Sequence, residues 1–508
     1  MLSKLYSAST FGTEAYLLET EVDVSQGLPA VSVVGLPDEA VREAKERVKS
    51  AIKNSGYEYP TGRITVNLAP ADIKKEGSSF DLAIALGILA SSSQIPSEIL
   101  KDFVFLGELS LDGKIRPVKG TLPIALYLRT SSIKKLIVPK ENAYEAAIIK
   151  EIDVYPIENL REVIYLVSNF LEKKPLKLEI NDLIEKKEYD VDFSEVKGQY
   201  LAKRALEIAA SGFHNILMIG PPGAGKTMLA KRLPTILPEM TNEEIFEVTK
   251  IYSIAGLLNK ETPLITTRAF RAVHHTTSDI ALVGGGQNPK PGEVSLSHNG
   301  VLFLDELPEF HRNALESLRQ PIEDGKVTVA RASRTLTFLS NFLLVAAMNP
   351  CYCGNYTSSF KACKCSTSQI QRYRSKISGP LLDRIDIHIE VPQLRYEHLT
   401  AKKEEEPSCK IRERVGKVRK TQLKRFKDMG IYFNSQMTNK MIKKYCILHN
   451  EAENLLKMAI QELNFSARSY DRIIKVARTI ADLADSEIIL PEHISEAVQY
   501  RSLDRELF

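Results

Sequence analysis

The stretch Gly220-Pro221-Pro222-Gly223-Ala224-Gly225-Lys226-Thr227 decides how this chain is read. It follows the largely apolar run Asn215-Ile216-Leu217-Met218-Ile219 and leads into Met228-Leu229-Ala230-Lys231-Arg232-Leu233, giving the order strand, glycine loop, helix. Glycines let a backbone wrap closely around phosphate oxygens, and the N–H groups of a helix start point donors at them. In such a loop Lys226 would reach the outer phosphates and the Thr227 hydroxyl would hold magnesium. The eight residues from Gly220 to Thr227 are therefore the expected nucleotide-binding residues, with ATP and magnesium as cofactors.

A second motif supports the first. Gly300-Val301-Leu302-Phe303-Leu304-Asp305-Glu306 reads as a buried strand whose paired carboxylates emerge at its C-terminal end. Asp305 would hold magnesium through water and Glu306 would polarise the attacking water. A lone apolar run ending in Asp-Glu means little, but about eighty residues after a phosphate loop it gains force. A third strand, Phe342-Leu343-Leu344-Val345-Ala346-Ala347-Met348, ends at Asn349, whose amide could orient water or read the terminal phosphate. Leu381-Leu382-Asp383-Arg384-Ile385-Asp386 then precedes the strand run Ile387-His388-Ile389-Glu390-Val391, and Arg384 could reach a neighbouring subunit's nucleotide. Arg468, in Phe465-Ser466-Ala467-Arg468-Ser469-Tyr470-Asp471-Arg472, could report nucleotide from a helical lid. Buried salt bridges are the alternative for both arginines.

The chain has 508 residues, enough for about three domains. Its hydrophobic content of 44% and charged content of 26% are ordinary for a water-soluble protein. The net charge of +4 is compatible with a nucleic-acid partner without requiring one. No apolar stretch is long enough for a membrane span, and the N-terminus lacks the apolar core of a signal peptide. Four of the six cysteines fall between Cys351 and Cys365, which points to metal chemistry in a reducing compartment, so the cytoplasm is expected.

Near the N-terminus, Ala15-Tyr16-Leu17-Leu18 and Ala30-Val31-Ser32-Val33-Val34 read as half-buried strands. A helix is expected over residues 39–53, a strand over 64–69, and a buried helix over 80–90. These residues, with Gly107-Glu108-Leu109-Ser110-Leu111-Asp112-Gly113-Lys114-Ile115-Arg116-Pro117-Val118 and Leu136-Ile137-Val138-Pro139-Lys140-Glu141-Asn142, resemble the proteolytic domain of Lon-type proteases. In those proteases a turn serine is activated by a lysine further along. Here Ser79 sits near the nucleophile position, but Leu122 falls where the lysine belongs and Lys119 is out of step. A serine without its base is a weak nucleophile, so the resemblance implies a structural or DNA-contacting platform that Lys74, Lys75, Lys114, Arg116 and Lys119 could line. For each alone, a solvated surface cation is the commoner reading.

The order of glycine loop, Asp-Glu, Asn, Arg and lid Arg resembles AAA+ ATPases. The stretches Arg268-Ala269-Phe270-Arg271-Ala272-Val273-His274-His275-Thr276-Thr277-Ser278, Gly284-Gly285-Gly286 and Pro291-Gly292-Glu293-Val294-Ser295-Leu296-Ser297-His298-Asn299-Gly300 are similar to the magnesium-chelatase-like branch. In that branch such an insertion forms a hairpin facing a ring pore. With the Lon-like region in front, essentially the whole chain resembles the ComM/YifB family. That resemblance implies a hexameric, ATP-driven helicase that promotes branch migration of DNA during natural transformation. The residues alone imply only an oligomeric ATPase; a protease using Ser79 and a magnesium chelatase subunit are the competing functions.

The expected fold is α/β: a Lon-protease-like α+β domain over 1–170, a linker over 171–191, an AAA+ P-loop core with a parallel sheet over 192–400, and a C-terminal helical lid over 401–508. Residues 176–184 could add an edge strand. Cys351-Tyr352-Cys353 and Cys363-Lys364-Cys365 form two Cys-x-Cys pairs suited to tetrahedral zinc with no open position, although reduced, metal-free thiols remain the alternative. Lys361, Lys364, Arg372, Arg374 and Lys376 surround them and could touch DNA. The basic run over residues 410–427, KIRERVGKVRKTQLKRFK, is either a solvated helix face or a phosphate-tracking surface.

Overall fold

The computed structural model describes residues 2–71, 75, 77–169, 173–183, 189–259, 261–286, 289–331, 334–358, 360–394, 405–463 and 465–501. They form two compact units, one of residues 1–186 with 245–266, the other of residues 187–244 with 267–508. Lys74, Ile184 and the boundaries expected at 170 and 400 lie outside the described residues. No helix among the described residues is long and apolar enough to cross a membrane.

The first unit is built on a seven-stranded mixed sheet. Its strands are β1 (Leu2–Phe11), β2 (Glu14–Ser25), β3 (Ala30–Val34), β4 (Arg63–Ala69), β5 (Phe103–Phe105), β6 (Lys135–Pro139) and β7 (Asp153–Ile157). Their order is β3-β4-β2-β1-β5-β6-β7. β2 runs antiparallel to β1 and β4, while β5, β6 and β7 continue in parallel. Two helices lie against it, α1 (Glu39–Asn54), capped by the Asp38 carboxylate accepting from Val41 N, and α2 (Asp81–Ser91), all of whose residues are buried. Gly87 lets α2 lie close on β2, since a Cβ there would stand 2.5 Å from Val22 Cγ2.

Residues 245–266 belong to this unit although the motif order assigns them to the ATPase core. Ser253 anchors them: its Oγ donates to Glu145 at 2.7 Å, and its carbonyl accepts from Gly120 N at 3.1 Å. The edge strand expected after Leu176 is reduced to a single bridge with Val154, and Ile180–Leu183 is helical instead. Lys75 is no platform cation. It is fully buried, with its ammonium donating to the Pro70 carbonyl.

The second unit has a five-stranded parallel sheet of β8 (Ile216–Ile219), β9 (Phe270–Val273), β10 (Val301–Leu304), β11 (Leu343–Met348) and β12 (Ile387–Glu390), in the order β9-β10-β11-β8-β12. Its central strands are buried on both faces and therefore read as continuous apolar runs. Ile216 and Met218 join a core with α3 (Tyr200–Gly212) and the C-terminal helices, while Leu217 and Ile219 face a second core formed with residues 282–318. α4 (Lys226–Arg232) follows β8. The C-terminal helices, among them α5 (Ser408–Arg425) and α6 (Ala467–Leu483), share the first of these cores rather than standing apart.

One buried ion pair ties α6 to the sheet. Asp386, just before β12, accepts from Arg472 at 2.7 Å and from His214 at 3.1 Å. Burial pushes its pKa up, but Arg472 and His214 outweigh this and hold the carboxyl below its ordinary range. A depressed pKa contributes stability above the unfolded value of about 4 and loses it as acid protonates the group. Asp386→Ala leaves Arg472 and His214 without their partner and is expected to cost about 3 kcal/mol. The urea midpoint of the second unit checks this, and the gap from the unmodified protein should narrow below about pH 4.

Candidate nucleotide site and cysteine cluster

The parallel register brings the site together. Ile219 pairs with Met348, so Gly220 and Asn349 leave neighbouring strands side by side. Leu304 pairs with Val273, so Asp305 and Glu306 emerge beside His274 and His275. A cavity of about 390 Å³ lies between the loop from Pro222 to Thr227 and the side chains of Asp305, Glu306 and Asn349. Gly223 and Gly225 hold φ of 76° and 91°, the left-handed region where side chains are strained, and a Cβ at Gly223 would project into open space. Gly220 is needed for another reason: a Cβ there would stand 2.1 Å from the Val391 carbonyl oxygen.

Lys226 is largely buried and donates to Gly220 O at 2.6 Å, Pro221 O at 3.0 Å and Asn349 Oδ1 at 3.2 Å. Burial lowers its pKa, against the opposing pull of Asp305 and Glu306. Thr227 Oγ1 donates to Asp305 Oδ2 at 2.7 Å. A hydroxyl that binds magnesium can keep donating to a carboxylate that holds the ion through water, so this pair suits the expected ion. The Glu306 backbone lies at φ 54°, and its carboxylate faces His275 Nδ1 at 3.2 Å.

His275 is the residue that sequence reasoning missed. Its ring packs between His274, 4.2 Å away, and Phe310, 6.5 Å away. The sequence signal was weak: the strand before His274 and His275, Phe270-Arg271-Ala272-Val273, carries an arginine and is not an apolar run like the one before Asp305 and Glu306. A base held by a third group reacts from a fixed geometry. We expect His275→Ala to lower kcat for ATP about ten-fold with KM unchanged, as loss of an orienting partner does. An unchanged kcat would make the contact incidental.

Arg384 and Arg468 do not line this cavity. Arg384 is largely buried; its Nε donates to Glu323 at 3.0 Å and its Nη1 to Pro380 O at 2.7 Å. Arg468 is exposed and, with Arg384 and Arg472, helps hold the Glu323 carboxyl below its ordinary range. The salt bridge considered for Arg384 is thus present within its own chain.

The four clustered cysteines meet as their spacing implied. All four Sγ atoms lie within 4.8 Å of one another, with Cys351 3.4 Å from Cys353 and 3.7 Å from Cys363. Thiolates 2.3 Å from a tetrahedral zinc stand about 3.8 Å apart, so the donor set fits such an ion. Backbone N–H groups of Lys364 and Asn355 bring the Cys353 thiol down to about 6. Nearby, Arg374 stacks over Tyr356 and Lys376 over Tyr352.

The basic run on α5 divides by residue type. Arg412 donates to Thr235 O, Arg414 pairs with Glu207, Arg419 with Glu244 and Arg425 with Asp482, all at 3.1 Å or less. Lys417, Lys420 and Lys424 project into solvent. The arginines fasten the helix, and only the lysines are available to a partner. In the first unit, Leu122 is fully buried, and Ser79 has no hydrogen bond to a lysine or histidine among the described residues; its neighbour Ser78 donates to Glu108.

The chain is similar to known proteins along its whole length. Residues 192–399 match the family model of magnesium chelatase, subunit ChlI, residues 405–501 match the model of that subunit's C-terminal part, and residues 20–142 match a further ChlI model. Competence protein ComM of Haemophilus influenzae is 45% identical over 517 aligned positions, covering 100% of this chain and 98% of that protein. YifB of Escherichia coli is 41% identical with the same coverage. Lon protease 2 of Bacillus subtilis is 31% identical over 185 positions, 32% of this chain and 33% of that protein. Matched from end to end by such relatives, with a Lon-like N-terminal region, the chain belongs to the ComM/YifB family of magnesium-chelatase-like proteins.

Proposed function

We propose that the chain is an ATP-driven, ring-forming DNA motor of the cytoplasm, a homohexameric helicase that moves branched or single-stranded DNA in natural transformation or recombination. The ATPase part rests on the convergence of Lys226, Thr227, Asp305, Glu306 and Asn349 around one cavity. The DNA part rests on end-to-end likeness to a protein named for competence, and the solvent-facing Lys417, Lys420 and Lys424 suit phosphates.

In this reading the Gly220 to Thr227 loop binds the phosphates, with Lys226 turning from backbone carbonyls to the outer ones. Thr227 and Asp305 would hold magnesium, which supplies charge neutralisation on the phosphates when bound. Glu306 orients the attacking water and takes its proton, while Asn349 positions the terminal phosphate. Cys351, Cys353, Cys363 and Cys365 would hold zinc, a structural ion with no open position. Ser79, with Leu122 in place of its base, does not act as a nucleophile.

The test is ATP turnover with and without forked, four-way and linear DNA. Stimulation by branched or single-stranded forms is expected. Stimulation by porphyrin partners instead would move the function to metal insertion, and peptide cleavage lost in Ser79→Ala would move it to proteolysis.

A further inference from the structure

The cysteine cluster leans on the nucleotide loop. Gly354, at φ 77°, lies so close that a Cβ there would stand 2.5 Å from Pro222 Cδ. Ser358 Oγ donates to Gln393 Oε1 at 3.1 Å, and the Gln393 amide donates to the Pro222 carbonyl at 2.8 Å. Gly354 and Ser358 both belong to the segment between the two Cys-x-Cys pairs, the segment whose ends the four sulfurs draw together.

Beside these contacts lies a second cavity of about 400 Å³. It shares Gly223, Ala224, Gly225 and Met228 with the phosphate-side cavity, so both are lined by the same loop. Across from the loop its wall is Phe360, Lys361 and Leu394. Phe360 comes from the cysteine segment and is 55% exposed. Met228, Leu394 and Phe360 offer an apolar slot for a flat heteroaromatic ring, and Lys361 offers a cation to oxygens beside it. Gln199 braces the floor, its amide donating to Ala224 O at 3.2 Å and Pro392 O at 2.8 Å.

We propose that this second cavity receives the base and ribose of the nucleotide, and that the cysteine segment forms its outer wall through Phe360 and Lys361. The inference rests on the nucleotide reading above and adds a role for the cysteines. Drawing their sulfurs together fixes the segment that presents Phe360, so the state of the cluster sets how well the base is held. Hydrolysis chemistry at Asp305 and Glu306, which line only the phosphate-side cavity, does not involve it.

Two ligands separate the base side from the phosphate side: ATP, and inorganic tripolyphosphate, which has no base. Both are titrated by calorimetry into the full-length protein with magnesium. For Phe360→Ala, a substitution at an exposed position, ATP affinity should fall about ten-fold while tripolyphosphate affinity is unchanged. The double variant Cys363→Ser, Cys365→Ser should show the same split. An unchanged ratio of the two affinities in Phe360→Ala overturns the proposal, and a split in Phe360→Ala with an unchanged ratio in the cysteine variant overturns the role given to the cluster. Failure of the unmodified protein to bind either ligand overturns the nucleotide reading and this inference together.

Discussion

Glu306→Gln is expected to lower ATP turnover about a thousand-fold while leaving nucleotide affinity nearly intact, the size of effect that loss of a general base produces. The amide keeps the shape of the carboxylate but cannot accept a proton from water. Lys226→Ala is expected to abolish turnover by a different route. Its ammonium already sits at the loop on Gly220 O and Pro221 O, so its removal takes away the charge that would meet the outer phosphates. The two variants therefore separate in a binding titration: Glu306→Gln retains ATP and Lys226→Ala loses it. Normal ATPase activity in either would sink the assignment of this cavity as a hydrolytic site.

The contrast between these residues and His275 shows where a sequence can be read and where it cannot. A strand buried on both faces of a parallel sheet must be apolar throughout, and its loop residues emerge at a known end. Gly220, Asp305 and Asn349 each follow such a run directly, so their convergence was legible. His275 follows the edge strand Phe270–Val273, which carries Arg271, and its relation to Glu306 depends on which strand neighbours which, so local sequence does not carry that register. The basic helix gives a similar lesson. Helical spacing separates its faces, yet only the folded chain reveals that Glu207, Glu244 and Asp482 await its arginines. Lys75 is not legible in the same way, because a buried lysine held by a backbone carbonyl carries the same letter as a solvated one. Residues 245–266 stand between motifs of the motor in sequence, whereas Ser253 and Glu145 hold them in the first unit.

Arg384→Ala is expected to reduce turnover at least about a hundred-fold without weakening ATP binding, and the loss should be repairable by a second inactive variant. Arg384, Arg468 and Arg472 all act on the single Glu323 carboxylate, whose side chain is 53% exposed. Arg472 is also committed to Asp386, but the remaining two cations exceed what one carboxylate neutralises. None of the three lines the cavity of its own chain. In a ring, each subunit presents one face to the loop of the next, so a cationic face apart from its own site suits a neighbour's phosphates. On this proposal the lid residue Arg468 would serve the same neighbour as Arg384 rather than its own nucleotide. Lys226→Ala subunits keep the arginines and lack a working loop; Arg384→Ala subunits keep the loop and lack an arginine. Mixed one to one, about a quarter of sites pair an intact loop with an intact Arg384, so about a quarter of normal turnover should return. A mixture as inactive as its components, in rings shown to have exchanged subunits, would mean that Arg384 serves only its own chain through Glu323.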